Sequence, residues 1–247
     1  MPGFTDIHMH ILAGLDDGAA NRAESLEMAG AAFSCGTSQV IATPHFDLGA
    51  KAFEPEVVTE KVKWLSSEIQ ASGSALTVLP GFEMRMCTEL LDAAKSGEDL
   101  SLYTLNRSGK YLLFDLPMGE VPFGTLDACF RLRLLGIRPI LAHPERNTEL
   151  VSRSDSLASL ISTGCLIQID CGSLIGRNGK RARKTSLALL KEMKIHFIAS
   201  DAHSPRDRVI DLRQAENIAG RLCGEGFART LLEINPYLVV QGMPLAG

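Results

Sequence analysis

Short runs of apolar and β-branched residues recur along the chain, and most are followed by a longer amphipathic stretch. Some of these runs, such as segments 39–42 and 138–142, are almost continuously hydrophobic. Parallel strands that are buried on both faces of a sheet have this character. The pattern predicts seven strands, at about residues 4–8, 38–43, 76–82, 110–115, 138–142, 165–170 and 195–200.

Helical patterns fill the intervals between the predicted strands. The first helix is expected between Asn21, a candidate N-cap with Glu24 three residues later, and Gly36 at its end. A second begins near Pro55 and carries apolar residues at helical spacing, namely Val58, Val62, Leu65 and Ile69. Further helices are predicted at about residues 88–95, 125–135, 154–163, 182–193 and 208–222.

The alternation of strand and helix predicts an α/β fold, either a barrel or a doubly wound sheet. The 247 residues contain no Gly/Ser/Pro-rich linker, no internal repeat and no low-complexity tract. A chain of this length is long enough to bury one large core. We therefore expect a single domain that covers residues 1–247.

The composition excludes several classes of protein. Hydrophobic residues make up 45% and charged residues 22% of the chain, as in globular proteins, and the net charge of −4 gives no reason to expect nucleic acid as a partner. No apolar run reaches the ~20 residues of a membrane span, and no signal-peptide pattern precedes Asp6. The six cysteines form no Cys-x-x-Cys pair, which is typical of reduced thiols. We expect a cytoplasmic protein without membrane insertion, and homo-oligomerisation stays open.

One segment is strongly basic, although the chain as a whole has a negative net charge. Residues 177–184 hold five lysines and arginines and no acidic residue. Such a segment is either a solvated loop with the first turn of a helix or a surface that recruits an acidic partner.

Five of the six histidines stand at or just after the end of a predicted strand. Three carboxylates, Glu83, Asp115 and Asp201, occupy the same level, whereas His196 lies inside a strand and is expected to be an ordinary buried histidine. In a parallel barrel the carboxyl ends of the strands converge on one face, but a doubly wound sheet would spread them along an edge. The ligand pattern therefore favours a barrel.

These side chains suit a cluster of metal ions. One catalytic ion needs roughly three to five protein ligands, so the set is large enough for two or three divalent ions. Nitrogen and oxygen donors without a thiolate favour manganese, iron or zinc, with magnesium at a weaker position. A cluster of this kind generates hydroxide at neutral pH and stabilises the attacking and leaving oxygens. The candidate ligands are His8, His10, His45, Glu83, Asp115, His143, Asp201 and His203.

Other charged residues near the histidine motifs are candidates for binding a phosphoryl group and for orienting a metal-bound water. Arg146 and Arg208 are placed to bind a phosphoryl group bidentately, and Arg206 competes with Arg208 for that role. Asp16 and Asp17 are candidates to orient a metal-bound water or to cap the first helix, with Asp16 serving the site and Asp17 the cap as one assignment.

Six motifs in order resemble those of a known superfamily. They are Asp-x-His-x-His, Leu-Asp-Asp-Gly, Thr-Pro-His, Gly-x-Glu, His-Pro-Glu-Arg-Asn and Ser-Asp-Ala-His. The set resembles the polymerase-and-histidinol-phosphatase (PHP) superfamily. Within it the chain is similar, over nearly its whole length, to the bacterial manganese-dependent protein-tyrosine phosphatases of capsule and exopolysaccharide loci.

The resemblance implies a distorted TIM-like barrel of seven β/α units (the PHP fold), a trinuclear metal site and dephosphorylation of tyrosine on a cognate autokinase. Relatives usually carry a glutamate where this chain has Asp115, which is shorter by one methylene. The resemblance also implies phosphate binding by Arg146 and Arg208, and metal ligation by His8, His10, His45, Glu83, His143, Asp201 and His203.

Three alternatives remain beside hydrolysis of phosphotyrosyl protein by metal-activated hydroxide. The chain could act on a small phosphomonoester such as histidinol phosphate, or serve as a non-catalytic, metal-stabilised scaffold that binds a kinase tail. A thiol mechanism is suggested by the Cys-x5-Arg spacing that begins at Cys171 and at Cys223. Neither cysteine follows the histidine expected in such a loop, and a nucleophilic thiol needs a lowered pKa.

Overall fold

The computed structural model describes residues 3–206 and 210–245. Within these ranges the chain forms nine β-strands, which are β1 Phe4–Met9, β2 Thr37–Ala42, β3 His45–Phe46, β4 Thr77–Pro80, β5 Glu83–Arg85, β6 Tyr111–Asp115, β7 Arg138–Ala142, β8 Leu166–Asp170 and β9 Phe197–Ala199.

Helices follow most strands. They are α1 Arg22–Cys35, α2 Glu56–Ala71, α3 Thr88–Ser96, α4 Thr125–Leu134, α5 Thr148–Ser152, α6 Ser154–Ser162, α7 Cys171–Ile175, α8 Gly179–Lys191, α9 Leu212–Cys223, α10 Glu225–Arg229 and α11 Asn235–Val240. Short 3-10 turns lie at Ser101–Tyr103, Leu105–Arg107 and Pro144–Arg146, and a π-helical segment at Thr230–Ile234. None of the helices that the structure describes is long and apolar enough to cross a membrane.

All seven predicted strands are confirmed, and two short strands that were not predicted follow the second and the third of them. Thr43 and Pro44 separate β2 from β3, and Gly81 and Phe82 separate β4 from β5. Pro44 has no N–H to donate to a ladder, and its carbonyl oxygen instead accepts the N–H of Glu83 at 3.1 Å. At Gly81 a Cβ would lie 2.6 Å from the side chain of Ile41, so the close approach requires glycine.

The strands form two parallel sheets, with orders β1-β2-β4 and β3-β5-β6-β7-β8-β9. Every paired strand is parallel to its neighbour. An isolated bridge between Met9 and Ala202 joins the first strand to the chain just after the last. The predicted parallel α/β architecture is thus confirmed. A continuous ladder of seven strands is not, because the breaks near Pro44 and Gly81 divide it and only this bridge links its two ends across the described residues.

Two hydrophobic clusters lie on opposite faces of the strands. In β6, Tyr111 and Leu113 belong to an inner cluster that also contains Ile7, whereas Leu112 and Phe114 belong to the cluster beneath the helices. Alternate residues of a strand point to opposite faces, so both faces of β6 are buried. This explains the continuous hydrophobic runs from which the strands were predicted.

The helices begin and end largely where the sequence predicts. The side chain of Asn21 accepts the N–H of Glu24 at 3.1 Å, and Gly36 ends α1 in the left-handed region, as expected. Helix α8 begins at Gly179, three residues before its predicted start, and α9 begins at Leu212. The segment 207–209 at the predicted start of α9 lies outside the described residues.

The C-terminal helices and the short α5 and α7 are not predicted by the sequence pattern. Residues 225–240 pack beneath β1 and β9, where Asn235 Nδ2 donates to the carbonyl oxygen of His196 at 2.9 Å. The ring of His196 accepts the N–H of Ile167 at 3.1 Å, and burial together with Arg138 lowers its pKa to about 4. His196 is therefore a structural histidine, as predicted.

The substitution Leu65→Ala is expected to lower the free energy of unfolding by about 2–5 kcal/mol. Leu65 is fully buried on α2, and its removal leaves a cavity between this helix and the sheet. Urea unfolding followed by circular dichroism measures the change. Gln70→Ala, at an exposed position of the same helix, is the control and should change stability by less than ~0.5 kcal/mol. An equal effect of the two substitutions would contradict the described packing of α2.

Candidate metal centre

The first and last histidine motifs are held together by main-chain hydrogen bonds. The N–H of Asp201 donates to the carbonyl oxygen of His8 at 2.9 Å, and the N–H of His10 donates to that of Ala202 at 2.9 Å. His8 lies in β1 and His10 directly follows it, whereas Asp201 and His203 follow β9. Residues almost 200 positions apart thereby share one face at the carboxyl ends of the strands.

The tautomers of His8 and His10 are set by partners outside the centre. His8 Nδ1 lies 2.9 Å from Gln168 Oε1, and His10 Nδ1 lies 2.6 Å from Asp16 Oδ2. Because these partners accept hydrogen bonds, each ring carries its proton on Nδ1 and turns Nε2 toward the other. The two Nε2 atoms are 3.1 Å apart. Two Nε2 atoms at this distance need a proton or a metal ion between or beside them, and the Nδ1 partners orient the rings in the way that metal-binding histidines are oriented.

Glu83 lies at the middle of the histidines and is completely buried. Its Oε1 is 2.9 Å from His143 Nε2, and its Oε2 is 2.8 Å from His45 Nδ1. The same Oε2 lies 3.3 Å from the Nε2 atoms of both His8 and His10. A carboxylate in contact with four imidazoles is well placed to bridge two metal ions.

Asp17 approaches the histidines from the solvent side. Its Oδ1 is 3.2 Å from His203 Nε2 and 3.4 Å from His45 Nε2. The rings of His10 and His203 stack with their centroids 3.8 Å apart. Asp17 is therefore in the position of a fourth carboxylate of the centre, beside Glu83, Asp115 and Asp201.

Asp115 also reaches the centre. It is buried, and its Oδ2 pairs with Arg85 Nη1 at 3.1 Å. Its Oδ1 is buried without a hydrogen-bond partner among the residues described. Burial and the neighbouring Glu83 raise the pKa of the Asp115 carboxyl to about 6. An orphaned buried carboxylate oxygen beside Glu83 fits a missing cation.

The ligand-type atoms fall into three adjacent groups, each compact enough for one ion. Within a group all candidate ligand atoms lie within 4.8 Å of one another. His45 occurs in two groups and Glu83 in two, so neighbouring ions would share ligands. The groups are His8, Glu83, His143 and Asp201, then His45, Glu83 and Asp115, then His10, Asp17, His45 and His203.

The charges of the centre explain its perturbed pKa values. Burial by itself lowers the pKa of the His143 imidazole, but the carboxylates of Asp170, Glu83 and Asp201 together raise it to about 10. The pKa of His10 is likewise raised well above its usual value. Conversely, the imidazoles hold the pKa of the Glu83 and Asp201 carboxyls well below their usual range, although burial opposes this. Protons on the imidazoles thus supply the positive charge that bound ions would replace.

Two of the candidate ligands adopt left-handed backbone conformations. The φ angle is 34° at His143 and 49° at Asp201. For residues other than glycine such conformations cost about 1–3 kcal/mol each, and they cluster at functional sites. Here they turn both side chains from the ends of β7 and β9 into the centre.

Arg146 lies at the edge of the centre. Its Nη1 donates to Asp201 Oδ2 at 2.7 Å and to Asp170 Oδ2 at 3.1 Å. About a fifth of its side chain is exposed. The guanidinium is therefore oriented by a carboxylate of the centre and still faces solvent.

This arrangement agrees with comparisons with known proteins. The family described as capsular polysaccharide synthesis, CpsB/CapC, matches residues 4–241. The chain belongs to the CpsB/CapC family. The family resemblance drawn from the six ordered motifs is thus confirmed.

Individual members of the CpsB/CapC family are similar over most of their length. Tyrosine-protein phosphatase YwqE of Bacillus subtilis is 40% identical over 211 residues, which cover 85% of this chain and 81% of YwqE. Tyrosine-protein phosphatase CpsB of Streptococcus agalactiae serotype III is 26% identical over 241 residues, with coverage of 96% and 98%. A crystal structure from work on YwqE of B. subtilis and CpsB of Streptococcus pneumoniae, described as metal-dependent tyrosine phosphatases, matches with a TM-score of 0.91. Its sequence is 35% identical, with coverage of 98% and 96%.

The structure brings all eight predicted ligands of this CpsB/CapC protein together. Arg146 and Asp16 also lie where they can serve the centre. Arg206 is exposed, with its N–H bonded to Ser204 Oγ at 3.1 Å, and the predicted Arg208 lies outside the described residues.

The assignment of Asp17 as a helix cap is wrong. Asn21 caps α1, four residues later, and Asp17 instead faces His45 and His203. Asp16 does serve the site, through His10 Nδ1 and through the N–H groups of Gly18 and His45, which it accepts at 2.9 Å each. Two adjacent aspartates cannot be told apart by spacing, because a turn decides which of them faces inward.

Sequence reasoning missed the supporting groups Gln168 and Asp170. Gln168 Oε1 holds His8, and Asp170 Oδ2 holds Arg146. A signal existed, because these are the two polar residues of the otherwise apolar strand Leu166–Asp170. Polar side chains that are buried in a parallel strand need hydrogen-bond partners. The histidines and charged residues at the carboxyl ends of the neighbouring strands were candidates for these partners.

We expect Asp16→Ala to weaken metal binding roughly 10- to 100-fold, because His10 loses the carboxylate that fixes its tautomer. Inductively coupled plasma mass spectrometry after dialysis against graded manganese measures the change. Asp92→Ala, at an exposed position of α3, is the control. Unchanged metal affinity in Asp16→Ala would refute the role given to this carboxylate.

Metal binding is expected to release protons at pH 7. The pKa of His143 is raised to about 10, so this imidazole is protonated at pH 7 in the metal-free protein, and the carboxylates of the centre also raise the pKa of His8 and of His10, which favours their protonated forms. Ligation requires the neutral ring, and the apparent affinity should therefore rise as the pH rises toward 10. Calorimetric titration with manganese in two buffers of different ionisation enthalpy counts the protons. Binding with no proton release would show that the histidines are not ligands.

Proposed function

We propose that this chain is a metal-dependent protein-tyrosine phosphatase that acts on a phosphotyrosyl protein of capsule or exopolysaccharide synthesis. The observation that carries the proposal is the convergence of three adjacent ligand groups on one face, with Arg146 at their edge. Its relatives YwqE and CpsB bear the name tyrosine-protein phosphatase. A tyrosine autokinase is the substrate protein that we infer.

The three ligand groups would hold two or three divalent ions, with manganese proposed first and iron, zinc or magnesium as alternatives. The donors are imidazole nitrogens and carboxylate oxygens only, which suits these ions. When bound, such ions lower the pKa of water and offset the negative charge that develops on phosphoryl oxygens. Asp115 supplies a carboxylate oxygen to the second group, and Asp17 supplies one to the third.

Arg146 is proposed to bind the phosphoryl group of the substrate. Its Nη1 is engaged by Asp170 and Asp201, whereas no hydrogen bond within the described ranges uses its Nε or Nη2. These two nitrogens remain as donors for phosphoryl oxygens, in the geometry that makes arginine suited to phosphate. Arg208 is proposed as a second phosphate ligand from its sequence position alone. Phenolate is a fairly good leaving group, so no residue is assigned as a general acid.

The buried thiols do not support a cysteine mechanism. Cys171 is fully buried, and burial raises the pKa of its thiol well above the usual value. Arg177, which completes its Cys-x5-Arg spacing, pairs with Asp211 at 2.6 Å. Cys223 donates its Sγ–H to the carbonyl oxygen of Leu190 at 3.4 Å. Cys171 therefore lacks the exposure that a nucleophilic thiolate requires, and Arg229, which completes the Cys-x5-Arg spacing of Cys223, pairs with Glu233 at 2.9 Å.

We further propose that the two sheets are parts of one distorted seven-stranded barrel and that residues 1–247 form one domain. The inner hydrophobic cluster supports this, because it joins side chains from β1, β2 and β6 to β9. We also infer a cytoplasmic location, which the six free cysteines support.

The proposed function is tested by hydrolysis of a phosphotyrosyl peptide before and after treatment with a chelator. Chelation should abolish phosphate release, and added manganese should restore it. Cys171→Ser and Cys223→Ser should retain the activity of the unaltered protein. Hydrolysis that persists after exhaustive metal removal, or that disappears in a serine variant that still binds metal, would disprove the proposal.

Histidinol phosphate is the comparison substrate, since it separates a protein phosphatase from a small-molecule phosphatase. A higher kcat/KM on histidinol phosphate than on the peptide would favour the second class. Metal binding with no hydrolysis of any aryl phosphate would instead indicate a non-catalytic scaffold.

A further inference from the structure

Two cavities lie end to end beside Arg146, between helices α5, α6 and α8. The nearer one, of about 310 Å³, is lined by Arg146, Met118, Val151 and Arg181, among others. The farther one, of about 420 Å³, again includes Val151 and Arg181 in its lining. Because Val151 and Arg181 line both cavities, the two are adjacent, and we treat them as one groove that begins at Arg146. We call it the α5–α8 groove.

The far part of the α5–α8 groove has an apolar floor. Leu150 of α5, Leu157 and Ile161 of α6 and Leu189 of α8 line it. Leu150, Leu157 and Leu189 are buried within the protein, whereas Ile161 is partly exposed. Arg146 is not among the residues that line this farther cavity, so its apolar floor suits an apolar side chain from a ligand longer than the phosphorylated residue.

The rim of the same groove is basic. Arg181, Lys184 and Lys194 line it, and only Lys194 pairs with an acid, Glu192, at 2.7 Å. Arg181 Nη2 donates to the carbonyl oxygen of Thr148 at 3.1 Å, which fixes the side chain without neutralising it. No ion pair of the residues described in the structure involves Arg181 or Lys184. Glu192 also lines this cavity, so the rim has three basic residues and one acidic residue and keeps an excess of positive charge, although the whole chain has a net charge of −4.

We propose that the α5–α8 groove binds the polypeptide segment next to the phosphotyrosine of the substrate protein and selects a segment with acidic residues beside an apolar one. The proposal rests on the proposed phosphatase function, because it takes Arg146 as the phosphate site. Arg181 connects the two parts of the groove, because its positively charged side chain lines both cavities. Residues 177–184 thereby gain a function as the source of that charge.

A peptide fits this groove better than other anionic partners. Nucleic acid and anionic membranes bind to basic surfaces that face solvent, and they do not need a buried apolar floor that leads away from a phosphate site. An extended peptide presents acidic and apolar side chains at short intervals, and therefore engages the rim and the floor together. Charged rims of this kind mainly affect association and partner choice.

The first test uses the unaltered manganese-loaded protein and two phosphotyrosyl peptides of equal length. One peptide carries glutamate and leucine on both sides of the phosphotyrosine, and in the other each glutamate is replaced by glutamine. We expect kcat/KM to be about fivefold higher for the acidic peptide, chiefly through a lower KM. Equal kcat/KM values for the two peptides would overturn the proposal.

The second test compares two double variants of α8, each of which removes two positive charges. Arg181→Gln/Lys184→Gln alters the groove, whereas Arg183→Gln/Lys191→Gln alters exposed residues of the same helix that line neither cavity. The measured quantity is the ratio of kcat/KM for the acidic peptide to that for p-nitrophenyl phosphate. We expect the ratio to fall about fivefold in the groove variant and to stay within twofold in the control.

The outcomes separate this proposal from the proposed function. Failure to hydrolyse both the peptides and p-nitrophenyl phosphate would refute the phosphatase function itself. Hydrolysis with an unchanged ratio in the groove variant, or with an equal fall in the control, would refute only the groove. Because the peptide comparison uses the unaltered protein, it decides the question even where the groove variant does not fold.

Discussion

The structure of the centre depends on the electrostatic balance around the buried carboxylate of Glu83. A carboxylate that is removed from water is strongly unfavourable unless opposite charge surrounds it. Four imidazoles provide this surrounding at 2.8–3.3 Å, and Asp201 lies against two of them. Protons or metal ions must therefore occupy the space between these groups at every pH at which the fold is stable. The same balance accounts for the raised pKa values of the histidines and the lowered pKa of Glu83.

The charged groups come together only if the backbone adopts particular conformations at the strand ends, and the parallel strands hold it in those conformations. Both His143 and Asp201 are held in left-handed conformations at strand ends, which unpaired loops would not maintain. The bonds between Asp201 and His8 and between His10 and Ala202 fix the last strand end against the first. Gln168 on the buried strand β8 and Asp16 in the half-buried loop after β1 then set the ring orientations. The hydrophobic faces of the strands thus supply the rigidity that a charged cluster cannot supply for itself.

Much of this could be predicted from the sequence, because the strong signals are local. A parallel strand buried on both faces is a continuous apolar run, and a ligand at its carboxyl end directly follows that run, as with His143 and Asp201. What could not be predicted depends on three-dimensional turns. The different roles of Asp16 and Asp17 arise from the turn that ends at Gly18, and the packing of residues 225–240 under β1 has no counterpart in local spacing. The close approach of Gly81 to Ile41, where the chain passes from one sheet to the other, likewise depends on the contact between separate segments.

The proposed metal chemistry and the proposed peptide recognition lie on different elements of the chain. The ligands lie at or near strand ends, where their side chains take part in the electrostatic balance around Glu83. The α5–α8 groove is built from helix surfaces whose charged residues contact solvent, so its charge can change without altering the sheet. Arg146 connects the two, since it touches Asp201 and also lines the nearer cavity. Such a division allows one catalytic face to serve different phosphoproteins, because selectivity depends on side chains that the metal centre does not require.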